Sequence, residues 1–145
     1  MTVSLAQTDQ DILDCWPVIV QLRPHLKQSE FISTIRKQFA EGYQLALVRR
    51  GDKVAAIAGF RFLHNLIWGR FLYVDDLVTD EHARSQGLGA ELMNWLAAHA
   101  RQQGCHRLDL DSGVQRFDAH RFYFREGMHI SWYHFTKDLR QAASP

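Results

Sequence analysis

Several features that mark particular protein classes are scarce in this 145-residue sequence. It has two cysteines, Cys15 and Cys105, and no CxxC motif, so neither a zinc ribbon nor a redox pair is indicated and both thiols are expected to be reduced and buried. No apolar run approaches the ~18 residues that cross a bilayer, so we expect no membrane span. Lys plus Arg number 17 against 16 for Asp plus Glu, and this formal charge of +1 argues against a polybasic nucleic-acid binder.

The chain also contains little that would divide it. It has three prolines, no repeat and no Pro/Gly/Ser-rich linker, so we expect a single domain over residues 1–145. Hydrophobic residues make up 46% of the chain, which is enough for a full core at this length. The first ten residues lack the basic and apolar segments of a signal peptide, so a cytoplasmic location is expected.

Hydrophobic periodicity predicts an α/β fold. Helices are predicted from Thr8 or Asp9 to 22, from a cap at Ser29 to 40, over 87–101 and over 117–125; strands are predicted over 3–6, 43–48, 53–62, 71–78, 107–111 and 130–136. Short turns join the strands of the first half, which predicts antiparallel pairing, whereas strand and helix alternate in the second half, which predicts parallel central strands. We therefore expect a mixed sheet with helices on both faces.

The segment from Asp75 to Ala90 carries the clearest chemical signal. A hydrophobic strand runs into a polar loop, and two glycines then open an amphipathic helix. Glycines let backbone N–H groups approach a ligand closely, and a helix N-terminus is partially positive, so this is an anion site suited to a pyrophosphate. A dinucleotide fingerprint would need a third glycine where Leu92 stands, and the Gly-Lys-Ser/Thr of a Walker A loop is absent.

The run from Arg84 to Gly89 has the form R-x-x-G-x-G and resembles the acetyl-CoA pyrophosphate loop of the GNAT superfamily of N-acetyltransferases. A second stretch, from Ala119 to Met128, is similar to that family's A-x-x-F-Y-x-x-x-G-F signature, with Met128 in place of the usual aromatic residue. The resemblance implies a mostly antiparallel sheet in which one parallel pair of strands splays apart. The slot between these strands would hold acetyl-CoA.

The resemblance also implies which residues contact the cofactor. The strand before the loop presents backbone groups to the pantetheine arm, the loop binds the pyrophosphate, and polar residues beyond the next strand hold the rest. The implied cofactor-binding residues are Leu77, Val78, Arg84, Ser85, Gln86, Gly87, Leu88, Gly89, Ala90, Ser112, His120 and Tyr123. For His120 the alternative is an ordinary surface position.

Acyl transfer from a thioester to an amine needs a neutral amine, a hydrogen-bond donor for the carbonyl oxygen and a proton for the leaving thiolate. The resemblance places Tyr123 near the CoA sulfur as the general acid, a role for which a phenol of pKa about 10 is suitable at neutral pH. The alternative is a packed aromatic residue like its neighbours. The carbonyl donor is expected to be a backbone N–H at Leu77 or Val78. No nucleophilic cysteine is required.

Asp75 and Asp76 are the candidates for the general base or for binding the amine. Adjacent residues of a strand point to opposite faces unless a bulge intervenes, so one of the two is expected to face the substrate. The pair resembles the acidic pair of polyamine and diamine acetyltransferases within the superfamily. The alternative interpretation is a solvated strand end, or a salt bridge to Arg70 or Arg84.

Asp109 and Asp111 share one face of a predicted strand by their period-two spacing, and together with Asp75 they suggest an electronegative pocket that binds the acceptor. The alternative is solvation at an edge or helix capping. The eight histidines show no HExxH or paired-ligand spacing, so no metal site is expected.

The leading hypothesis is an acetyl-CoA-dependent N-acetyltransferase that acts on the primary amine of a small cationic molecule by direct transfer in a ternary complex. One alternative is a non-catalytic acyl-CoA sensor or interaction module on the same fold, and another is an unrelated nucleotide-phosphate-binding domain. Neither nucleic acid nor membrane is expected as a partner. A homodimer is one expectation, formed through the final strand with Trp132, Tyr133 and Phe135.

Overall fold

A computed structural model describes residues 2–140 of the chain. The elements are β1 (Val3–Leu5), α1 (Asp9–Leu22), α2 (Gln28–Ala40), β2 (Tyr43–Arg50), β3 (Lys53–Asn65), β4 (Gly69–Thr79), a 3₁₀ turn (Glu81–Ala83), α3 (Leu88–Gln102), β5 (Leu108–Leu110) and α4 (Phe117–Arg125). The described residues form two compact units, which meet in the chain between Leu110 and Asp111. The first unit contains the whole sheet, and the second contains α4. Among residues 2–140 the structure has no helix of the length and apolarity that a membrane span requires.

The sheet has five strands in the order β1-β2-β3-β4-β5. The pairs from β1 to β4 are antiparallel, and β4 pairs with β5 in parallel. This confirms the predicted mixed α/β sheet, mostly antiparallel with one parallel pair. The parallel ladder is short, because only Leu72, Tyr73 and Val74 of β4 have partners on β5.

Helices cover both faces of the sheet, as predicted. On one face α1 and α2 bury a cluster that includes Ile12, Phe31 and Ile57, each at most 2% exposed. On the other face Phe60 contacts Trp95 of α3, with ring centroids 6.0 Å apart. Ile57 and Phe60 belong to the same strand, and their side chains lie on opposite faces because they are an odd number of positions apart.

Of the two predicted caps of α1, the structure has Thr8 as the N-cap. The Thr8 hydroxyl accepts a hydrogen bond from the Asp11 backbone N–H at 3.1 Å, and the Asp11 carboxylate accepts from the Thr8 N–H at 3.0 Å. This reciprocal capping box satisfies backbone donors that the first turn leaves without helical partners. The backbone hydrogen bonds from Thr8 and Gln7 lower the pKa of Asp11 to about 2.

Two predictions about elements were wrong. Helix α2 begins at Gln28 with Lys27 as its N-cap, so Ser29 does not cap it, and no side chain makes the cap bond. Residues 130–136, all of which the structure describes, belong to no strand. Their alternating sequence pattern is typical of a strand with one face covered, yet the consecutive Trp132 and Tyr133 are 59% and 85% exposed.

Candidate active site

A β-bulge at Asp75 interrupts the pairing of β4 with β3. Gly59 of β3 lies opposite Asp76, and the next residue, Phe60, lies opposite Val74, so Asp75 is the extra residue. A bulge places two consecutive side chains on the same face of a sheet. The two aspartates were expected to point to opposite faces unless a bulge intervenes, and a bulge does intervene. Here both carboxylates lie on the face that α1 and α2 cover, where their hydrogen-bond partners are found.

Both oxygens of the Asp76 carboxylate have partners. The Arg23 Nε donates to Oδ1 at 3.0 Å, and the Tyr43 hydroxyl donates to Oδ2 at 2.8 Å. Tyr43 is 2% exposed, and its burial, together with the charge of Asp76, raises its pKa well above the ordinary value. The phenol therefore stays protonated as a donor, and the two hydrogen bonds hold the Asp76 side chain in one orientation.

Gly59 makes room for this contact. A Cβ at position 59 would lie 1.7 Å from the Tyr43 hydroxyl oxygen, closer than any real van der Waals contact. The backbone of the bulge and the buried phenol therefore pack together only because position 59 has no side chain.

The Asp75 carboxylate has one oxygen bound and one available. Arg61 Nε donates to Oδ2 at 2.8 Å, whereas Oδ1 has no hydrogen-bond partner among residues 2–140. Burial raises the pKa of Asp75 above the ordinary value for aspartate, and the Arg61 guanidinium opposes that shift. Arg61 also lies over the ring of Tyr43, 5.5 Å from its centroid, so the two aspartates belong to one connected network.

The salt bridges of the aspartates differ from the predicted ones. Their partners are Arg23 and Arg61, not Arg70 or Arg84. Arg70 instead lies over the Phe62 ring, 4.7 Å from its centroid.

The sequence reasoning missed Tyr43, Gly59 and Arg61 as members of the site. One signal was present, since a glycine within the buried run of β3 is typical of a close approach by another group.

The strand segment that follows the aspartates has an open edge within the first unit. Leu77 and Val78 pair with Ala58 and Ile57 of β3, but the β5 ladder ends at Val74. In an antiparallel ladder, alternate residues direct both N–H and C=O toward the partner strand. One of Leu77 and Val78 therefore directs its N–H toward β3, and the other directs it toward the open edge, where an extended ligand chain would find a donor.

The loop before α3 has the backbone geometry of an anion site. Ser85 and Gly87 have positive φ values of 63° and 76°, and α3 begins with no side-chain cap. The first N–H groups of a helix have no intrahelical acceptor, so they are available to an anion. Arg84 and Gln86 are exposed beside them, and Arg84 makes no ion pair among the described residues.

The start of the loop is anchored to α1. The Gln21 side-chain amide donates to Asp80 Oδ1 at 2.9 Å, and its oxygen accepts from the Glu81 N–H at 3.0 Å. The Asp80 N–H donates to the backbone oxygen of Ala55 at 2.8 Å. These bonds fix the chain where β4 leaves the sheet.

Asp109 and Asp111 occupy different settings. Asp109 lies on β5 opposite Tyr73, and Arg107 binds both of its carboxylate oxygens, with Nε–O distances of 3.0 and 2.8 Å. Asp111 follows the end of β5 and belongs to the second unit, where His134 Nδ1 lies 3.4 Å from Oδ2. In the first unit, therefore, each of the predicted site carboxylates is paired with a guanidinium.

The second unit contains the remaining predicted site residues. The Ser112 hydroxyl oxygen is buried and has no hydrogen-bond partner among residues 2–140. His120 Nε2 lies 2.8 Å from the backbone oxygen of Gly113, and Tyr123 lies on α4 with its ring 5.6 Å from that of Phe122. The first unit contains Asp75, Asp76, Leu77, Val78 and the loop over 84–90.

In the described part of the chain, neither the cysteine thiols nor the residues that commonly bind metal ions form another reactive cluster. Cys15 and Cys105 are buried, and burial raises the pKa of Cys15 to about 12, which keeps that sulfur protonated and unreactive. Within residues 2–140, no three His, Cys, Asp or Glu side chains are grouped so that they could hold a metal ion.

Comparisons with known proteins identify the family of this chain. The model of the acetyltransferase (GNAT) family matches residues 5–128. An aminoalkylphosphonate N-acetyltransferase of Salmonella typhimurium (strain LT2) is 39% identical over 99 residues, which are 67% of this chain and 62% of that relative, under two thirds of its length. The N-acetyltransferase YhdJ of Bacillus subtilis (strain 168) is 31% identical over 87% of this chain and 90% of its own. A solved Trypanosoma brucei acetyltransferase has a TM-score of 0.77 at 19% identity, covering 95% of this chain and 99% of that one.

Proposed function

Because this chain belongs to the GNAT family of acetyltransferases, we propose that it transfers an acetyl group from acetyl-CoA to the primary amine of a small molecule, directly within a ternary complex. The observation that carries the proposal is the positive-φ loop that opens α3 beside the open edge of β4. Buried thiols support direct transfer, because a covalent acyl-enzyme would need an accessible thiolate or another activated nucleophile.

The donor set of the first unit fits the anionic part of acetyl-CoA. The backbone N–H groups of Leu88, Gly89 and Ala90 at the start of α3, together with Arg84, would hold the pyrophosphate. Ser85, Gln86 and Gly87 form the loop that presents them. In the second unit the Ser112 hydroxyl is buried and has no partner in the described part of the chain, so it is suited to a hydrogen bond with the polar pantetheine arm, as is His120.

The residues of this chain divide the proton transfers between them. Acetyl-CoA supplies an acyl thioester when bound. Asp75 accepts the proton of the ammonium group at Oδ1, directly or through a water molecule, because Asp76 has both oxygens engaged. Asp76 keeps Arg23 and Tyr43 in place. The backbone N–H at Leu77 or Val78 donates to the thioester oxygen, and Tyr123 gives its phenolic proton to the departing sulfur. The second proton that the nitrogen loses as the amide forms restores the phenol, and Asp75 releases the first to solvent.

The acceptor is proposed to be a small amine that is cationic in solution, with Asp75 binding its ammonium group. Asp109 of the first unit and Asp111 of the second stay proposed acceptor-binding residues, each considered within its own unit. The aminoalkylphosphonate enzyme among the relatives also acts on an amine of a small molecule, which supports this size class. Trp132, Tyr133 and Phe135 are between 59% and 92% exposed, and a homodimer through this segment stays a proposal.

A thiol-release assay tests the proposed function. The purified protein, supplied with acetyl-CoA and a panel of primary amines, is expected to release CoA thiol at a rate that depends on the amine. Acetyl-CoA binding without turnover of any amine would favour the alternative of a sensor module. The absence of both binding and release would refute the proposal.

Replacing Gly87 with alanine is expected to weaken acetyl-CoA binding about tenfold, because φ of 76° costs an L-residue roughly 1–2 kcal/mol and the added methyl group stands where the pyrophosphate approaches. Gly51→Ala is the matched control. Gly51 has φ of 57° in the β2–β3 turn, and at both positions a Cβ would have no neighbour within 4 Å. Calorimetric titration should give an unchanged Kd for Gly51→Ala, and equal Kd values for the two variants would remove the loop from the cofactor site.

A further inference from the structure

Three carboxylates on the α1–α2 face of the sheet carry guanidinium partners: Asp75 with Arg61, Asp76 with Arg23 and Asp109 with Arg107. A pocket for a diamine or a polycation would need carboxylates in excess of the cations, since each ammonium group requires its own acceptor. Each of these three carboxylates is instead matched by one guanidinium. This face is therefore matched to a ligand that carries both signs of charge.

Arg61 has donors to spare. A guanidinium has five N–H groups, and the Nε group of Arg61 donates to Asp75, whereas its Nη1 and Nη2 atoms make no hydrogen bond among the described residues. The Arg61 side chain is 20% exposed, and its unused donors are not among the buried polar atoms of the described residues, so a ligand can reach them. A half-buried guanidinium with unused donors is a strong site for a carboxylate or phosphonate, which it can bind through two parallel hydrogen bonds.

The orientation of Arg61 is fixed before any ligand arrives. Its Cζ lies 5.5 Å from the centroid of the Tyr43 ring, and Tyr43 is itself buried and bound to Asp76. A preorganised guanidinium loses little side-chain entropy when it binds an anion. The available oxygen of Asp75 and the available nitrogens of Arg61 belong to the two members of one ion pair, so they lie a few ångströms apart.

We propose that the Asp75–Arg61 pair selects zwitterionic acceptors, with the ammonium group on Asp75 Oδ1 and a phosphonate or carboxylate on the Nη atoms of Arg61. This rests on the proposed function, because Asp75 is the base that accepts the amine proton. Because Asp75 Oδ1 and the Nη atoms of Arg61 lie close together, the pair favours a ligand whose amine is separated from its anionic group by a short, flexible spacer. Arg61 is then a specificity-determining residue, and Arg23 adds positive charge beside it.

The first test uses the unmodified protein. The value of kcat/KM is measured by thiol release for aminoethylphosphonate, β-alanine, n-propylamine and putrescine at saturating acetyl-CoA. Either zwitterion is expected to exceed n-propylamine and putrescine by at least about 30-fold, the range that a charged hydrogen-bonded pair contributes. Equal values, or a preference for putrescine, would overturn the inference while leaving the proposed acetyl transfer intact. Failure of every amine would instead refute the proposed function.

The second test uses Arg61→Gln, with Arg70→Gln as the matched control. Arg70 is an exposed arginine of β4 that lies over Phe62 and makes no ion pair with a site aspartate. The readout is the ratio of kcat/KM for aminoethylphosphonate to that for n-propylamine, which removes any general loss of stability or of base strength. The ratio is expected to fall about 30-fold in Arg61→Gln and to stay constant in Arg70→Gln. An unchanged ratio in Arg61→Gln would overturn the assignment.

Discussion

Replacing Asp75 with asparagine is expected to lower kcat/KM for the acceptor amine about 100-fold at neutral pH, the low end of what a general base contributes. Asparagine keeps the size of the side chain and can still accept a hydrogen bond from Arg61, but it cannot take up a proton. Burial raises the pKa of Asp75 above its ordinary value, so in the unmodified protein kcat/KM should fall as the pH drops through that pKa. The variant should lose this acidic limb of the profile.

Asp76→Asn provides the control for this prediction. Its carboxylate oxygens are already bound by Arg23 and Tyr43, so we expect kcat to fall less than about fivefold, with the main loss in thermal stability. Rate measurements across pH on both variants decide the assignment. A loss of about 100-fold in Asp76→Asn, with Asp75→Asn near the unmodified rate, would exchange the two roles.

Replacing Tyr123 with phenylalanine is expected to lower kcat about 100-fold while KM for acetyl-CoA changes less than about threefold. The phenyl ring preserves packing on α4, and only the phenolic proton that protonates the departing sulfur is removed. Steady-state kinetics with varied acetyl-CoA separate the two parameters.

Tyr133→Phe is the matched control for the loss of a hydroxyl group, since Tyr133 lies in the same unit and is 85% exposed. It should leave both parameters unchanged. If Tyr123→Phe alters kcat and KM by equal factors, the residue has a packing role and another group must supply the proton.

Elements whose signals are local in the chain were well predicted from the sequence. The predicted and observed bounds of α4 are the same at both ends. Gly127 follows this helix with φ of 80°, the left-handed conformation in which helices commonly end. The N-cap of α1 is Thr8, one of the two residues predicted for it in front of an amphipathic run. The glycine loop before α3 could be predicted from the sequence because glycine adopts a positive φ readily by itself, without help from distant residues.

Features that depend on register between strands could not be predicted. The bulge at Asp75 begins beside the pair of Gly59 with Asp76, and Gly59 admits the Tyr43 hydroxyl, so the arrangement depends on three different strands. The pairing of Arg61 with Asp75 follows from that bulge. Similarly, the alternating pattern over 130–136 says nothing about whether a partner strand covers it, and the predicted strand was therefore wrong.

The most direct test of the account quantifies both products of one reaction. The unmodified protein is incubated with acetyl-CoA and aminoethylphosphonate, and released CoA thiol and N-acetylated amine are determined by thiol titration and mass spectrometry. The account predicts equal amounts of the two products, with no thiol released when the amine is omitted. Thiol release without acetylated amine would identify a thioester hydrolase, and this result would contradict acetyl transfer to an amine.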